Sequence, residues 1–293
     1  MTEWRAERVT GGGAIFAGLL ASDVVRTSHR SWHAVPPEEP AMMAALHLAA
    51  LESKVVTILD QAQRMLGVFT CMDFISLLSR NLTNPWACLY RTPCLQAASD
   101  ALLTAPSEPL NILLPAMRNQ RTEYAAIRQE GRITAIIDTL DIAYTVARTR
   151  NMNELKKIKA REIRTQSPPT LSADSTIQEC IKTMQLRKTG YILLEDMHKV
   201  ITGRALMKYL LLTPAAAALR DAPHMIQETG LNDLTSHMAD PVLVNREEDL
   251  LSILLKLLKS ETYIAVTEDY EQTITPWDLT AGLQTLDEVG CLE

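Results

Sequence analysis

Gly67-Val-Phe-Thr70-Cys-Met-Asp73-Phe74 follows Lys54-Val-Val-Thr-Ile-Leu-Asp60, and together the two runs read as strand, tight turn, strand and helix. The β-branched residues of 55–59 and the apolar run 65–69 favour strands. Phe74, Leu77 and Leu78 then fall at the i, i+3, i+4 spacing of an amphipathic helix, with Asp73 in its first turn. Thr70 opens that helix.

The pattern returns three times in more worn form. Tyr124 to Ile142 carries Asp138-Thr-Leu-Asp141, Tyr191 to Leu206 carries Thr202-Gly-Arg-Ala205, and Val266 to Leu279 carries Thr275-Pro-Trp-Asp278. Copies spaced roughly 65–75 residues apart are the mark of one repeated supersecondary unit. Each unit reads as strand or loop, helix, strand, strand, helix, which makes the chain a mixed α/β (α+β) protein. Such an array is a binding scaffold more than a catalytic one.

At 293 residues the chain has room for two domains of ordinary size. With 47% hydrophobic and 22% charged residues it has the composition of a globular protein. A net charge of −6 argues against a broad nucleic-acid-binding face, because neutralising phosphates takes clustered Lys and Arg. A small nucleotide held by a few local cations stays open. The five cysteines are scattered and have no CxxC spacing, which suits reduced thiols in the cytoplasm or nucleus. The apolar run from Gly11 to Ala21 is shorter than the ~20 residues of a membrane span, so neither a membrane segment nor a targeting segment is expected. Gly11-Gly12-Gly13 lacks the Gly-Lys-Ser/Thr of a phosphate loop and reads as a hinge.

In chain order, residues 1–21 form an N-terminal segment and 22–84 the first repeat. Residues 85–150 are the second repeat, 151–163 a linker, 164–230 the third and 231–293 the fourth. Phe16 to Val25 reads as a short helix, and Ala34-Val35-Pro36-Pro37 as an extended edge. Pro115 sits inside the expected helix Glu108 to Arg118 and predicts a kink or a late start. Lys156, Lys157, Lys159, Arg161 and Arg164 mark the linker, read as a solvated helix. Asp174 or Ser175 is expected to cap the helix Thr176 to Arg187.

The repeat resembles the CBS domain, a βαββα unit that pairs with a second copy. Ser28-His29-Arg30, the stretch from Gly67 to Arg80, and Arg118-Asn119 are similar to the γ regulatory subunits of AMP-activated protein kinase and their yeast counterpart. The resemblance implies four CBS repeats, paired into two Bateman modules that form a disc. It also implies a non-catalytic regulatory subunit with no resident cofactor, binding AMP, ADP or ATP in the clefts. The implied partners are a catalytic α subunit and a scaffolding β subunit of a protein kinase.

The physics of Thr-x-x-Asp stands apart from the family. A hydroxyl at a strand end and a carboxylate one helical turn on lie at the same helix N-terminus, whose dipole helps keep the acid ionised. One carboxylate can accept both hydroxyls of a ribose. The same pattern is also a plain helix cap. The ribose candidates are Thr70, Asp73, Thr275, Asp278 and Asp141. Phosphate candidates, by resemblance, are His29, Arg30, Lys54 and Arg118. The chain departs from the family where Thr122-Glu123 and Thr262-Tyr263 replace basic pairs, and where Ala205 replaces a ribose carboxylate. Losing hydrogen bonds to an ionised acceptor removes a few kcal/mol, so the third cleft is expected to be empty or weak. Two other readings stay open, a structural subunit with degenerate clefts and a stand-alone sensor of another adenosyl compound such as S-adenosylmethionine. No histidine pair has zinc spacing, and Cys71 reads as a small packing residue.

Overall fold

A computed structural model describes residues 15–27, 32–51, 55–149, 155–163, 165 and 167–289, with side chains through 284. His29, Arg30 and Lys54 lie outside the described residues, as do the triple glycine and residues 151–154 of the linker.

The chain runs α1 (Ala21–Thr27), β1 (His33–Val35), α2 (Ala41–Ala50), β2 (Val55–Leu59), β3 (Met65–Thr70) and α3 (Cys71–Ser79). It continues with α4 (Pro85–Arg91), α5 (Cys94–Ala97), β4 (Leu102–Thr104), α6 (Leu110–Gln120), β5 (Tyr124–Gln129), β6 (Arg132–Asp138) and α7 (Thr139–Thr149). The third repeat holds β7 (Thr170–Leu171), α8 (Ile177–Arg187), β8 (Tyr191–Leu194), β9 (Lys199–Thr202), α9 (Gly203–Leu212) and α10 (Pro214–Asp221). The fourth holds β10 (Val242–Val244), α11 (Leu250–Leu258), β11 (Ala265–Thr267), β12 (Thr273–Ile274) and α12 (Pro276–Val289).

Each repeat builds one three-stranded sheet. The lead strand lies parallel to the middle one because a helix carries the chain across, and the last strand returns antiparallel through a hairpin. The hairpin turns place His198 and Tyr270 in the left-handed region, and their rings stack across the third and fourth repeats with centroids 4.4 Å apart.

Four apolar contacts close the repeats into a ring. Leu59, Ala126 and Ile133 join the sheets of repeats one and two; Leu193, Val200, Ile264 and Val266 join those of three and four. The larger cores are helical and cross between the modules. Phe74, Leu77, Leu78 and Leu48 pack with Ile177, Ile181, Leu206 and Met207, while Leu140, Val146 and Leu113 pack with Leu254, Leu257 and Leu279. A fully buried side chain of this size contributes roughly 1.5–3 kcal/mol, so these two cores dominate the assembly. Arg204 adds a polar tie: its guanidinium donates to the carbonyl of Leu51, just past the end of α2, where a cation also suits the helix dipole.

Several expectations are corrected in detail. The N-terminal helix is Ala21–Thr27, later than Phe16 to Val25, and it packs on α7 of the second repeat. The third repeat's helix is capped by Thr176, not Asp174 or Ser175. Glu179 completes a reciprocal pair with Thr176, a capping box that satisfies two backbone donors at once. The linker is not simply solvated, since Leu155, Ile158 and Ile163 are buried against the fourth repeat's core while Lys156, Lys157 and Arg161 face outward. α6 starts at Leu110 and runs through Pro115 to Gln120.

Candidate functional site

Each closing helix starts within one residue of its sheet's last strand, so the strand fixes where the first helical turn points. At the first repeat, Thr70 ends β3 and caps α3. Its backbone N–H and its hydroxyl each donate to Asp73 Oδ2 at 2.7 Å, and Asp73 N–H donates back to Thr70 Oγ1 at 3.3 Å. Ser99, just ahead of β4 and bridged to Val68 of β3, donates its hydroxyl to Asp73 Oδ1 at 2.5 Å. Gly67 makes that approach possible: a Cβ there would stand 3.1 Å from the Ser99 carbonyl oxygen. Asp73 is therefore engaged at both oxygens. Burial pushes its pKa above the ordinary carboxylate value, and the bonds from Ser99 and Thr70 only partly offset this.

The fourth repeat copies the arrangement with one difference. Thr275 N–H and hydroxyl donate to Asp278 Oδ2 at 2.8 and 2.7 Å. Among the described residues nothing donates to Asp278 Oδ1, leaving an acceptor for an incoming hydroxyl. Burial again raises the pKa, opposed by Thr275 and by the charge of Arg118. Arg118 lies in the last turn of α6 in the second repeat, so the charge of one module is felt at a carboxylate of the other. The two residues were singled out from the sequence on separate grounds.

The other two helix starts differ as their sequences do. Asp138 N–H donates to Asp141 Oδ2 at 3.1 Å and Asp141 N–H donates to Asp138 Oδ1 at 2.8 Å, placing two buried carboxylates side by side. At the third repeat Thr202 accepts from Ala205 N–H at 3.1 Å, a cap without a carboxylate.

Around these helix starts stand residues that sequence reading did not assign to the site. Tyr191 opens β8 and shares a 2.7 Å hydroxyl–hydroxyl hydrogen bond with Thr273 of the fourth repeat. Burial raises its pKa, and the nearby charges of Asp278 and Glu123 raise it further. Glu123 is held by Thr139 N–H, which donates to its carbonyl at 3.2 Å, as Gly203 N–H donates to Gly190 at 2.7 Å. Gly203 in turn lies against Cys71, its would-be Cβ 3.4 Å from the Cys71 Cβ. The Cys71 thiol is pushed up to about 11, chiefly by burial, which keeps it protonated and inert. Ser99 lies 26 residues from its partner and carries no local signal. Glu123 was visible as a missing cation, but its neighbours were not. Among the described residues no cluster of His, Cys, Asp and Glu suits a metal ion, and no helix is long and apolar enough to cross a membrane.

The sheets, the strand-end helices and the four-membered ring are those of four CBS repeats paired into two modules. A protein of Methanocaldococcus jannaschii, put forward as an archaeal homolog of the γ subunit of AMP-activated protein kinase, has this fold. It is 14% identical over 91% of this chain and 99% of its own, with a TM-score of 0.74. An uncharacterised conserved protein of Pyrococcus horikoshii is 10% identical, with a TM-score of 0.52 over 78% of this chain and 91% of its own. A CBS-domain protein of Pyrobaculum aerophilum, solved with AMP, is 13% identical and matches 42% of this chain and 89% of its own, with a TM-score of 0.36. No protein-family model matches the sequence, and no curated protein matches it.

Proposed function

We propose that the protein is a non-catalytic regulatory subunit that binds adenine nucleotides, AMP, ADP or ATP, in its CBS clefts and reports their occupancy to a partner. Asp278 carries this reading: its carboxylate is fixed by Thr275, keeps one oxygen for a ribose hydroxyl, and lies within reach of the Arg118 charge. Thr70 with Asp73 forms the second candidate, Asp141 a third. His29, Arg30 and Lys54 are the proposed phosphate groups beside Arg118. The resemblance to kinase γ subunits makes a catalytic α and a scaffolding β subunit the proposed partners. A ligand that prefers one arrangement of the ring would shift the partner's state by its difference in affinity and no more.

Asp73 supports a second reading for its own cleft. With Ser99 and Thr70 on both oxygens, it serves as a structural cap unless a ligand displaces the serine. The double variant Asp73→Asn with Asp278→Asn separates the readings. Calorimetric titration of the wild-type chain with AMP and ATP is expected to show binding that the variant loses by at least about tenfold, or ~1.4 kcal/mol. A silent wild type, or an unchanged variant, leaves only a scaffold. Capture of a kinase subunit from native extract tests the partner.

A further inference from the structure

The first and fourth clefts differ by one hydroxyl that the chain supplies to itself. An ionised carboxylate offers about four acceptor positions on its two oxygens. Asp278 commits two of them to Thr275, both at Oδ2. Asp73 commits the same two to Thr70 and a third, on Oδ1, to the Ser99 hydroxyl. Two neighbouring sugar hydroxyls that reach one carboxylate together need a pair of open positions. Among the described residues Asp278 keeps that pair and Asp73 does not.

Backbone geometry holds the serine in place. Ser99 N–H donates to the Val68 carbonyl and Val68 N–H to the Ser99 carbonyl, both at 2.9 Å, two residues ahead of the Thr70 cap. Just before it, α5 is anchored by the buried Cys94 and Ala97. Ser99 is itself exposed while Asp73 is buried, so the contact joins a surface residue to an inner acid. Of the bonds that offset the burial of Asp73, the one from Ser99 is the largest.

The third repeat shows that the bridge does not need the hydroxyl. Val200 of β9 and Ala239 exchange the same two backbone bonds, at 2.9 and 3.1 Å, again two residues ahead of a threonine cap. There Ala239 stands at the place of Ser99, and Ala205 at the place of Asp73. Backbone alone builds the bridge, and the serine stands where a carboxylate is present to receive it.

We propose that Ser99 is the affinity-determining residue of the first cleft: its hydroxyl occupies a ligand hydroxyl's position on Asp73, so a nucleoside fills the fourth cleft first and enters the first only by displacing the serine. This rests on the nucleoside-binding reading above and ranks its two leading sites. A tethered hydroxyl competes at a high effective concentration, because it has no translational freedom left to lose.

The test is calorimetric titration of the full chain carrying Asp278→Asn, which leaves the first cleft to be read, with adenosine and with 2′-deoxyadenosine. Adding Ser99→Ala is expected to tighten adenosine binding by about tenfold, the scale of one hydrogen bond to a charged group. The deoxynucleoside, with one hydroxyl fewer to place, is expected to gain much less, and Asp73→Asn added to both changes is expected to abolish the gain. An alanine already serves at the equivalent place in the third repeat, so the variant should melt with the parent by circular dichroism. Adenosine binding unmoved by Ser99→Ala, an equal gain for both nucleosides, or a gain that survives Asp73→Asn overturns the role of Ser99. Binding through Asp278 in the unmutated chain then still stands as a nucleoside site. If no form binds adenosine, the unmutated chain included, the clefts are not nucleoside sites and the role of Ser99 falls with them.

Discussion

Asp73 and Asp278 show how a carboxylate can be stabilised as a cap and destabilised as a charge at once. Each receives a backbone and a hydroxyl hydrogen bond from its threonine, yet burial still holds its pKa above the ordinary aspartate value. The native state therefore holds a proton on these groups more tightly than the unfolded chain does. Their charge subtracts from stability above the raised native pKa, and the loss is regained as pH falls through it toward 3.8. Ligand binding has the opposite slope, because the ionised acid is the stronger acceptor for a sugar hydroxyl. Adenosine affinity is thus expected to weaken on acidification while pH is still above the ordinary carboxylate range of about 3.9. Titrations from roughly pH 7.5 to 4.5 read this directly. An affinity that stays flat over that interval would show that neither carboxylate holds the ligand.

At the scale of single elements most of the architecture was legible, because a strand-to-helix switch needs only period and caps. β2, β3, α3, β8 and β9 fall where β-branched runs and helical spacing put them, to within two residues. The short helices α4, α5 and α10 were missed; none is as long as the 10 residues of α2, and each is held by tertiary packing more than by its own pattern. Pro115 is the informative conflict. It lies on the exposed side of α6, where its ring meets water and the helix runs on past it. Its missing N–H removes the helical hydrogen bond to the carbonyl one turn back. Pro115→Ala is expected to stabilise the chain by about 1–2 kcal/mol, less than the ~3 kcal/mol penalty of an interior proline because proline also restrains the unfolded chain. A raised urea midpoint with an unchanged slope is the signature to look for. An unmoved midpoint would mean that the helix geometry around Pro115 is already what the neighbouring core requires.

For the molecule as a whole, the sequence announced four repeats but not which faces meet, since an apolar stripe fits any partner of matching period. The candidate site shares that limit: the helix caps were readable, whereas Ser99, Tyr191 and Glu123 enter only through packing between repeats. The largest cores run between repeats one and three and between two and four, so each crosses from one module to the other. A module cut from the chain would expose Phe74, Leu77 and Leu78 on one repeat and Leu140 and Val146 on the other, all fully buried in the ring. At about 25 cal/mol per Å² of apolar surface, leaving such faces in water is far costlier than joining a second copy. Separate expression of residues 15–149 and 155–289 is accordingly expected to give self-associating or poorly folded halves that recover a stoichiometric complex when mixed, as read by sedimentation. The intact chain should melt in one transition seen alike by circular dichroism and tryptophan fluorescence, because neither module keeps its core without the other. Two well-separated transitions, or a soluble monomeric half with a sharp melt of its own, would show that the sheets and not the crossing helices hold each module together. In that case Arg118 and Asp278 would belong to independent bodies, and a ligand touching both could not couple them.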